Sequence, residues 1–357
     1  MTTAAPDSYT PAEDRYDAVP EGWFRRCGHS GLMLPAITLG CWHNFGGPGT
    51  DSLHSATEAD LHDNCRRMLF TAFDHGVTHF DLANNYGPPP GSAERRVGRI
   101  LNRDFRGHRD ELLISTKAGH RMWPGPYGEF NSRKYLLASL DRSLERLGLE
   151  YVDIFYSHRP DPPVEKGGTP LEETLAALDT AVRQGKALYA GVSSYSGERT
   201  AYALDLCEQH GLFAPVIHQP SYSLLNRGIE DDLLPVARQA KLGVIAFCPL
   251  AQGLLTDKYL GGIPDDSRAR SGSVSLKEDR VTPELVKKLE TLNAIANGRG
   301  QSLAQMSLSW VLRDRVISSA LIGASRPSQI EQNVKAAEKT GFAADELAAI
   351  EDALGDA

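Results

Sequence analysis

An acid, a lysine and a histidine each end an apolar, strand-like run of this sequence, and a tyrosine follows the acid by five positions. These residues are Asp81, Lys117, His158 and Tyr86. An ionisable group at the inner end of an apolar strand is costly to desolvate unless it has a charged partner. We therefore predict a buried ion pair between Asp81 and Lys117, with Tyr86 close to the cation.

These four groups together suit proton transfer to a carbonyl oxygen. A cation beside Tyr86 favours the phenolate and lowers the phenol pKa from about 10, and a tyrosine tuned in this way can deliver a proton near neutral pH. His158 can donate a hydrogen bond that orients the same oxygen. The chemistry indicated is carbonyl reduction, with the hydride supplied by another molecule. The alternative is a barrel isomerase that uses Lys117 to form a Schiff base.

Three further strand-like runs end in groups that suit a nicotinamide. Ser193, Ser194 and Gln219 offer hydrogen-bonding groups for a carboxamide, and Phe247 offers a flat face for the ring. The two serines could equally cap the helix that opens near Gly197. The sequence has no Gly-x-Gly-x-x-Gly fingerprint between a strand and a helix, so a dinucleotide would have to bind without one.

The elements that must position these groups are strands that alternate with helices. The predicted strands are 36–40, 77–81, 111–117, 151–158, 187–193, 216–219, 243–247 and 316–322. The predicted helices are 58–74, 93–102, 133–147, 171–183, 198–209, 230–240, 283–297, 303–312 and 328–338. Continuous apolar strands separated by helices indicate a parallel sheet. Eight such units predict an α/β fold, a single (β/α)8 TIM barrel, whose ligand site lies at the C-terminal ends of the strands.

The chain is predicted to form one domain. Residues 1–20 are polar and form a flexible N-terminal arm, and residues 21–357 form the barrel domain, beginning with a β-hairpin around residues 28–31. The stretch 250–280, after the seventh strand, is rich in glycine, serine and charge. We predict that it is a mobile loop over one mouth of the barrel.

The composition excludes several classes of partner. The balance of 38 Lys+Arg against 46 Asp+Glu gives a net charge of −8, which argues against nucleic acid or a membrane surface as the main partner. The five cysteines include no Cys-x-x-Cys pair, which fits reduced thiols in a cytoplasm. No run of about 18 apolar residues could span a membrane. The histidines lack the paired spacing of a metal site, so no metal is expected.

Four segments carry a resemblance to a known family. They are Gly76 to Tyr86, Ser-Thr-Lys-Ala-Gly around Lys117, Tyr-Ser-His-Arg around His158, and Gly191 to Tyr195. On these residues the chain resembles the aldo-keto reductase superfamily, from about residue 24 to its C-terminus. Within that superfamily, residues 81–94 and 321–326 most resemble the bacterial L-glyceraldehyde 3-phosphate reductases, which are related to the voltage-gated potassium channel β-subunits.

The resemblance implies a role for each site residue. Tyr86 is the proton donor, Asp81 and Lys117 tune it, and His158 orients the substrate. The implied cofactor is NADPH, because Arg326 can pair with a 2′-phosphate as a planar fork. The residues implied to contact the cofactor are Trp42, Ser193, Ser194, Gln219, Phe247, Cys248, Leu250, Gly253, Lys258, Gly323, Ser325, Arg326, Gln329 and Asn333.

The expected substrate is a small aldehyde such as glyceraldehyde 3-phosphate or methylglyoxal. Trp42 and Trp123 are either walls of its site or exposed packing residues, and Arg159 is either a phosphate contact or a solvated charge. The resemblance also implies a homo-oligomer, a tetramer or an octamer. It leaves a second function open, that of a nicotinamide-binding regulatory subunit that senses redox state.

Overall fold

The computed structural model of the chain describes residues 8–47, 57–263 and 278–355. The strands are β1 (Phe24–Arg26), β2 (Met33–Pro35), β3 (Ile37–Gly40), β4 (His79–Asp81), β5 (Leu113–Ala118), β6 (Val152–Ser157), β7 (Ala187–Ser193), β8 (Ile217–Gln219), β9 (Gly243–Phe247) and β10 (Ile317–Ile322). The helices are α1 (Glu58–Asp74), α2 (Ser92–Asp104), α3 (Arg133–Leu147), α4 (Leu171–Arg183), α5 (Gly197–His210), α6 (Leu233–Ala240), α7 (Pro283–Gly298), α8 (Leu303–Leu312), α9 (Pro327–Val334) and α10 (Ala344–Leu354).

Eight parallel strands close into a barrel in the order β10-β3-β4-β5-β6-β7-β8-β9, and β1 pairs with β2 as an antiparallel hairpin. This confirms the predicted (β/α)8 TIM barrel and its N-terminal hairpin. Register places Asp81 beside Ser115 on the neighbouring strand, and Lys117 beside Tyr156 on the strand after that. The ends of β4, β5 and β6 therefore bring the predicted acid, lysine and histidine to one mouth of the barrel.

Local sequence signals set where the helices begin and end. The hydroxyl of Ser132 accepts a hydrogen bond from the backbone N–H of Tyr135 and caps the start of α3. Gly148 ends the same helix with a φ of 64°, in the left-handed region that glycine adopts without strain. The helix has the bounds predicted from the sequence.

The β1–β2 hairpin closes the N-terminal mouth of the barrel. Cys27 and Leu34 of this segment are buried in one cluster with Ile154 from inside the barrel. The turn fits tightly, because a Cβ atom at Gly28 would lie 2.1 Å from the carbonyl oxygen of Lys241. The functional site is therefore expected at the opposite mouth, where the C-terminal ends of the strands lie.

Residues 8–20 of the predicted N-terminal arm lie against the barrel wall. The ring of Tyr9 stacks on that of Phe70 with centroids 3.9 Å apart, and its hydroxyl donates to Asp74 at 2.8 Å. Further along, the Arg15 guanidinium donates to the Glu111 carboxylate at 2.5 Å. The polar composition of the arm gives no sign of these contacts, because single side chains spaced along it make them. Residues 1–7 lie outside the described residues.

Two regions differ from the prediction in other ways. Helix α10, which packs against α7, was not predicted. The predicted loop 250–280 contains short 3-10 turns at Ala251–Gly253, Asp257–Tyr259 and Glu278–Arg280, and its residues 264–277 lie outside the described part of the chain. Within the described ranges, no helix has the length and apolar character needed to cross a membrane.

Candidate active site

A large cavity opens at the C-terminal mouth of the barrel. Its volume is about 1700 Å³, and Asp81, Tyr86 and His158 are among the residues that line it. Asp81 is the last residue of β4, His158 directly follows β6, and Tyr86 lies in the loop between β4 and α2. Lys117, in β5, is fully buried directly behind them. The structure thus brings all four predicted catalytic side chains together.

The Lys117 ammonium is held by three oxygen acceptors. It donates to Asp81 Oδ2 at 2.5 Å, to the backbone carbonyl of Leu82 at 2.7 Å and to the Tyr86 hydroxyl at 3.4 Å. Both charged side chains are essentially inaccessible to solvent. The predicted buried ion pair is present in the structure. A Schiff base on Lys117 is disfavoured, because this amine is fully buried and is committed to acceptors.

The structure gives Tyr86 a different acidity from the one expected. Burial raises the pKa of Tyr86 well above its ordinary value, and the nearby Asp81 carboxylate adds to the effect. The net direction is therefore opposite to the expected one, because burial is the largest influence on this phenol. The cation lies nearer to Asp81 than to the phenol, and the carboxylate opposes its effect there. Tyr86 consequently keeps its proton at neutral pH, which is the state that a proton donor needs.

Two neutral histidines face the cavity beside Tyr86. The His158 ring lies 5.7 Å from the Tyr86 ring, and burial lowers the pKa of His158 well below its ordinary value. His120 packs edge-on against His158 with ring centroids 4.5 Å apart, and burial lowers its pKa to about 4. A neutral imidazole can still donate from one ring nitrogen, so His158 can orient a carbonyl oxygen. Sequence reasoning missed His120, although its position three residues after Lys117 was a usable signal.

The polar groups predicted for the nicotinamide end all line the cavity, but two of them are already engaged. The Ser193 hydroxyl donates to the Gln219 carbonyl at 2.8 Å, and Gln219 Nε2 donates to Asp81 Oδ1 at 3.2 Å. Ser194 is exposed to the cavity. The alternative that the serines cap α5 is wrong, because Ser196 is the cap and accepts from the backbone of the following turn.

The other predicted cofactor contacts also line this cavity. They are Trp42, Phe247, Cys248, Leu250, Gly253, Lys258, Gly323, Ser325, Arg326, Gln329 and Asn333. Gln329 also has a structural role, since its side-chain carbonyl accepts from the backbone N–H of Ser325 at 2.8 Å. Arg326 is exposed and makes no ion pair within the described part of the chain. Further lining residues missed from the sequence lie mostly on loops, where periodicity gives no signal: His43, Asn44, Asn85, Gln252, Thr256, Asp257, Tyr259 and Gln305.

Of the predicted substrate contacts, only Trp42 lines the cavity. It is 38% exposed, and its ring lies 6.2 Å from that of Tyr86. Trp123 packs instead against Tyr135 with ring centroids 5.6 Å apart, and the guanidinium of Arg159 pairs with Glu129. These two side chains do not line the cavity in this structure; Trp123 packs against helix α3, and Arg159 pairs with the loop that follows β5.

Comparison with known proteins agrees with this geometry. The model of the aldo/keto reductase family matches residues 36–354. The chain belongs to the aldo/keto reductase family. Over 337 residues, this reductase is 54% identical to an L-glyceraldehyde 3-phosphate reductase of Escherichia coli (strain K12), covering 93% of this chain and 92% of the relative. Over 323 residues, it is 36% identical to a Schizosaccharomyces pombe protein named "Putative voltage-gated potassium channel subunit beta", covering 88% of each.

Oxidoreductases of this family generally use NAD(P)H. The residues of the cavity fit such a dinucleotide. The Phe247 ring and the exposed Ser194 lie at the barrel end, where Tyr86 and His158 are, and the Arg326 guanidinium lies beyond β10, where no described side chain neutralises it. An aromatic face, amide and hydroxyl groups, and a separate cation are the groups that a nicotinamide and a phosphorylated nucleoside need.

Proposed function

We propose that the protein is an NADPH-dependent reductase of small aldehydes, with Tyr86 as the proton donor. The observation that carries this proposal is the Lys117 ammonium, which joins the Asp81 carboxylate to the Tyr86 hydroxyl at the wall of the cavity. When bound, the reduced nicotinamide supplies a hydride. Every other task falls to side chains of this chain.

Tyr86 holds a proton beside the cavity and gives it to the carbonyl oxygen of the substrate. Lys117 then stabilises the phenolate that remains, because its ammonium lies within hydrogen-bonding distance of the hydroxyl. Asp81 keeps this buried ammonium charged. Neutral His158, opposite Tyr86, donates a hydrogen bond that orients the same oxygen.

The proposed substrate is L-glyceraldehyde 3-phosphate or a short dicarbonyl such as methylglyoxal. Support comes from the name of the 54% identical relative and from Trp42, which forms a wall beside Tyr86. NADPH is proposed over NADH because the exposed Arg326 guanidinium can bind a 2′-phosphate in bidentate fashion. We also retain, as proposals, a cytoplasmic location and a homo-oligomer, tetramer or octamer, which light scattering on the purified protein would test.

The test is a steady-state assay that follows the absorbance of the reduced cofactor. NADPH and NADH are each combined with glyceraldehyde 3-phosphate and with methylglyoxal. Oxidation of NADPH that requires an aldehyde, and that is slower with NADH, supports the proposal. Absence of turnover with all four pairs contradicts it.

A second candidate function is a redox-sensing regulatory subunit. The 36% identity to a protein named as a potassium channel β-subunit favours it, because such a subunit would use the same cavity to hold cofactor with slow turnover. The discriminating measurement combines cofactor affinity with turnover rate. Tight binding of NADPH with negligible turnover on either aldehyde would favour this second function.

A further inference from the structure

A line of hydrogen-bonded polar side chains runs beneath the proposed catalytic groups, inside the barrel. From Asp81 Oδ1 it passes to Ser115 at 2.6 Å, from Ser115 to His79 at 2.9 Å, from His79 to Thr38 at 3.0 Å, and from Thr38 to Ser319 at 2.7 Å. All of these side chains have 0% exposure. We call Ser115, His79, Thr38 and Ser319 the buried chain.

Counting donors fixes the direction of its hydrogen bonds. The Ser115 hydroxyl donates to the ionised Asp81, so it can only accept from His79 Nε2–H. The other ring nitrogen, Nδ1, must then accept from the Thr38 hydroxyl. His79 is accordingly a neutral imidazole of one tautomer. This agrees with its burial, which lowers its pKa to about 4.

The two oxygens of the Asp81 carboxylate accept hydrogen bonds from different partners, and these partners fix its orientation. Oδ2 accepts from Lys117, while Oδ1 accepts from Ser115 and from Gln219. The Gln219 contact, at 3.2 Å, is the longer of the two on Oδ1. Ser115 is therefore the group that sets the orientation of the carboxylate, and a hydroxyl that accepts a hydrogen bond is a stronger donor.

We propose that His79 is a positioning residue for aldehyde reduction: by donating to Ser115 it directs the serine proton onto Asp81 and so holds the carboxylate against Lys117. This inference rests on the proposed function, in which Lys117 and Tyr86 carry the proton transfer. His79 touches neither the cavity nor the reacting atoms.

The inference has a consequence for the charge on Lys117. Burial lowers the pKa of Lys117, and Asp81 is the largest influence that raises it. The titratable and charged groups around this ammonium are Asp81, Tyr86, Tyr156, Cys41, Glu94, His79, His120 and His158. If Asp81 turns away, the Lys117 pKa falls further, and activity is lost at a lower pH on the alkaline side.

Two substitutions of His79 introduce the same amide group on side chains of different length. His79→Gln places an amide N–H near the position of Nε2 and can donate to Ser115, whereas His79→Asn is shorter and ends near Nδ1. His218→Asn is the matched control, because His218 is equally buried, on β8, and its ring bonds the Tyr195 backbone carbonyl at 3.1 Å. In the described part of the chain, this control histidine makes no hydrogen bond to a member of the buried chain.

The experiment measures kcat with NADPH and aldehyde against pH, the Kd of NADPH, and the titration of the Lys117 amine by ¹⁵N NMR of lysine-labelled protein. We expect His79→Asn to lower kcat by about tenfold, the factor for one lost hydrogen bond. In this variant, the alkaline limb of the kcat–pH profile and the midpoint of the Lys117 titration should both move down by at least about 0.5 pH unit. His79→Gln should stay within about threefold of wild type, and His218→Asn and all NADPH affinities should be unchanged.

A double-mutant cycle with Ser115→Ala tests whether His79 acts through this serine. If it does, adding His79→Asn to Ser115→Ala lowers kcat no further. If His79→Asn does not fold, Ser115→Ala alone carries the test, and an unchanged Lys117 titration in it overturns the inference.

The outcomes separate the inference from the proposed function. If wild type reduces the aldehydes and His79→Asn changes neither kcat nor the Lys117 titration, the inference is overturned and the proposed function stands. Equal losses in His79→Asn and His218→Asn also overturn it, since they would reflect general loosening of the barrel. If wild type reduces neither aldehyde, the proposed function fails, and a Lys117 titration that shifts in His79→Asn still upholds the positioning of the ion pair.

Discussion

The Lys117 ammonium lies 3.4 Å from the Tyr86 hydroxyl oxygen, the longest of its three contacts. The two shorter ones, to Asp81 and to a backbone carbonyl, hold the cation in place before any substrate binds. Burial raises the pKa of Tyr86 and so keeps it protonated in the resting protein, while Lys117 lies close enough to stabilise the phenolate once the proton has left.

Removing one partner of this ion pair should cost more than removing both. Lys117→Met leaves the Asp81 carboxylate buried and unpaired, which should lower the free energy of unfolding by about 3–5 kcal/mol. The double variant Lys117→Met, Asp81→Asn should recover part of that stability but none of the activity. Urea unfolding and the reduction assay measure the two effects.

The control for this prediction is an exposed ion pair. Lys186 lies 2.6 Å from Asp141 on the surface, and Lys186→Met should cost under about 1 kcal/mol. Equal destabilisation by Lys186→Met and Lys117→Met would show that burial of the Asp81–Lys117 pair has no special energetic effect.

Arg326 should set the preference between cofactors. Arg326→Ala should raise the Kd of NADPH by about tenfold or more, because a charge-assisted pair with the 2′-phosphate is lost. The Kd of NADH, which lacks that phosphate, should barely change. Arg326→Lys keeps the charge without the planar fork, so its Kd for NADPH should lie between those of wild type and Arg326→Ala. Cofactor fluorescence titrations measure all three, and equal weakening for both cofactors would place Arg326 away from the 2′-phosphate.

Buried histidines should make the protein less stable as the pH falls. Burial lowers the pKa of His79 to about 4 and that of His218 to about 3, whereas an unfolded histidine titrates near 6.5. Above about pH 6.5 these histidines are neutral in both the folded and the unfolded state. Below that pH each is protonated in the unfolded chain but stays neutral in the native protein. The free energy of unfolding should therefore fall by up to about 1.4 kcal/mol per pH unit for each, from about pH 6.5 to pH 4.

His218→Gln isolates this effect, because it removes one of the two titrations. Its stability should fall less steeply with decreasing pH than that of wild type in urea unfolding series. His210→Gln, at an exposed position, is the control. Identical slopes in wild type and His218→Gln would mean that His218 is not kept neutral by the fold.

Gly191 should tolerate no side chain. A Cβ atom there would lie 2.5 Å from the ring of Tyr156, the buried neighbour of Lys117 in the barrel register. Gly191→Ala should lower the free energy of unfolding by about 1–3 kcal/mol through overpacking. Gly298→Ala, at the end of α7 with open space around it, should be neutral or stabilising. Similar thermal unfolding of both variants would contradict the packing argument.

The sequence predicts most of this fold because the barrel strands lie in largely apolar runs and each helix has its own periodicity. The same logic finds Asp81, Lys117 and His158, since charged groups at strand ends contradict an otherwise apolar pattern. It does not find His79, which lies inside a buried strand and is explained only by its hydrogen bonds to neighbouring strands. Helix α10, although rich in alanine and acids, was missed as well.

The predictions that were wrong depend on burial and on side-chain orientation, which the spacing of residues in the sequence does not specify. The direction of the Tyr86 pKa depends first on how deeply the phenol is buried and then on the nearby Asp81 carboxylate. Likewise, Trp123 and Arg159 lie on loops whose side chains are oriented by tertiary neighbours, Tyr135 and Glu129.

A single-turnover experiment tests the proposed role of Tyr86 most directly. Protein charged with NADPH is mixed with glyceraldehyde 3-phosphate, and oxidation of the cofactor is followed for wild type, Tyr86→Phe and a control, Tyr189→Phe, whose ring lies on β7 outside the cavity. We predict that Tyr86→Phe slows this step by at least about 100-fold with unchanged NADPH affinity, while the control matches wild type. Oxidation by Tyr86→Phe at the wild-type rate would contradict the proposed mechanism.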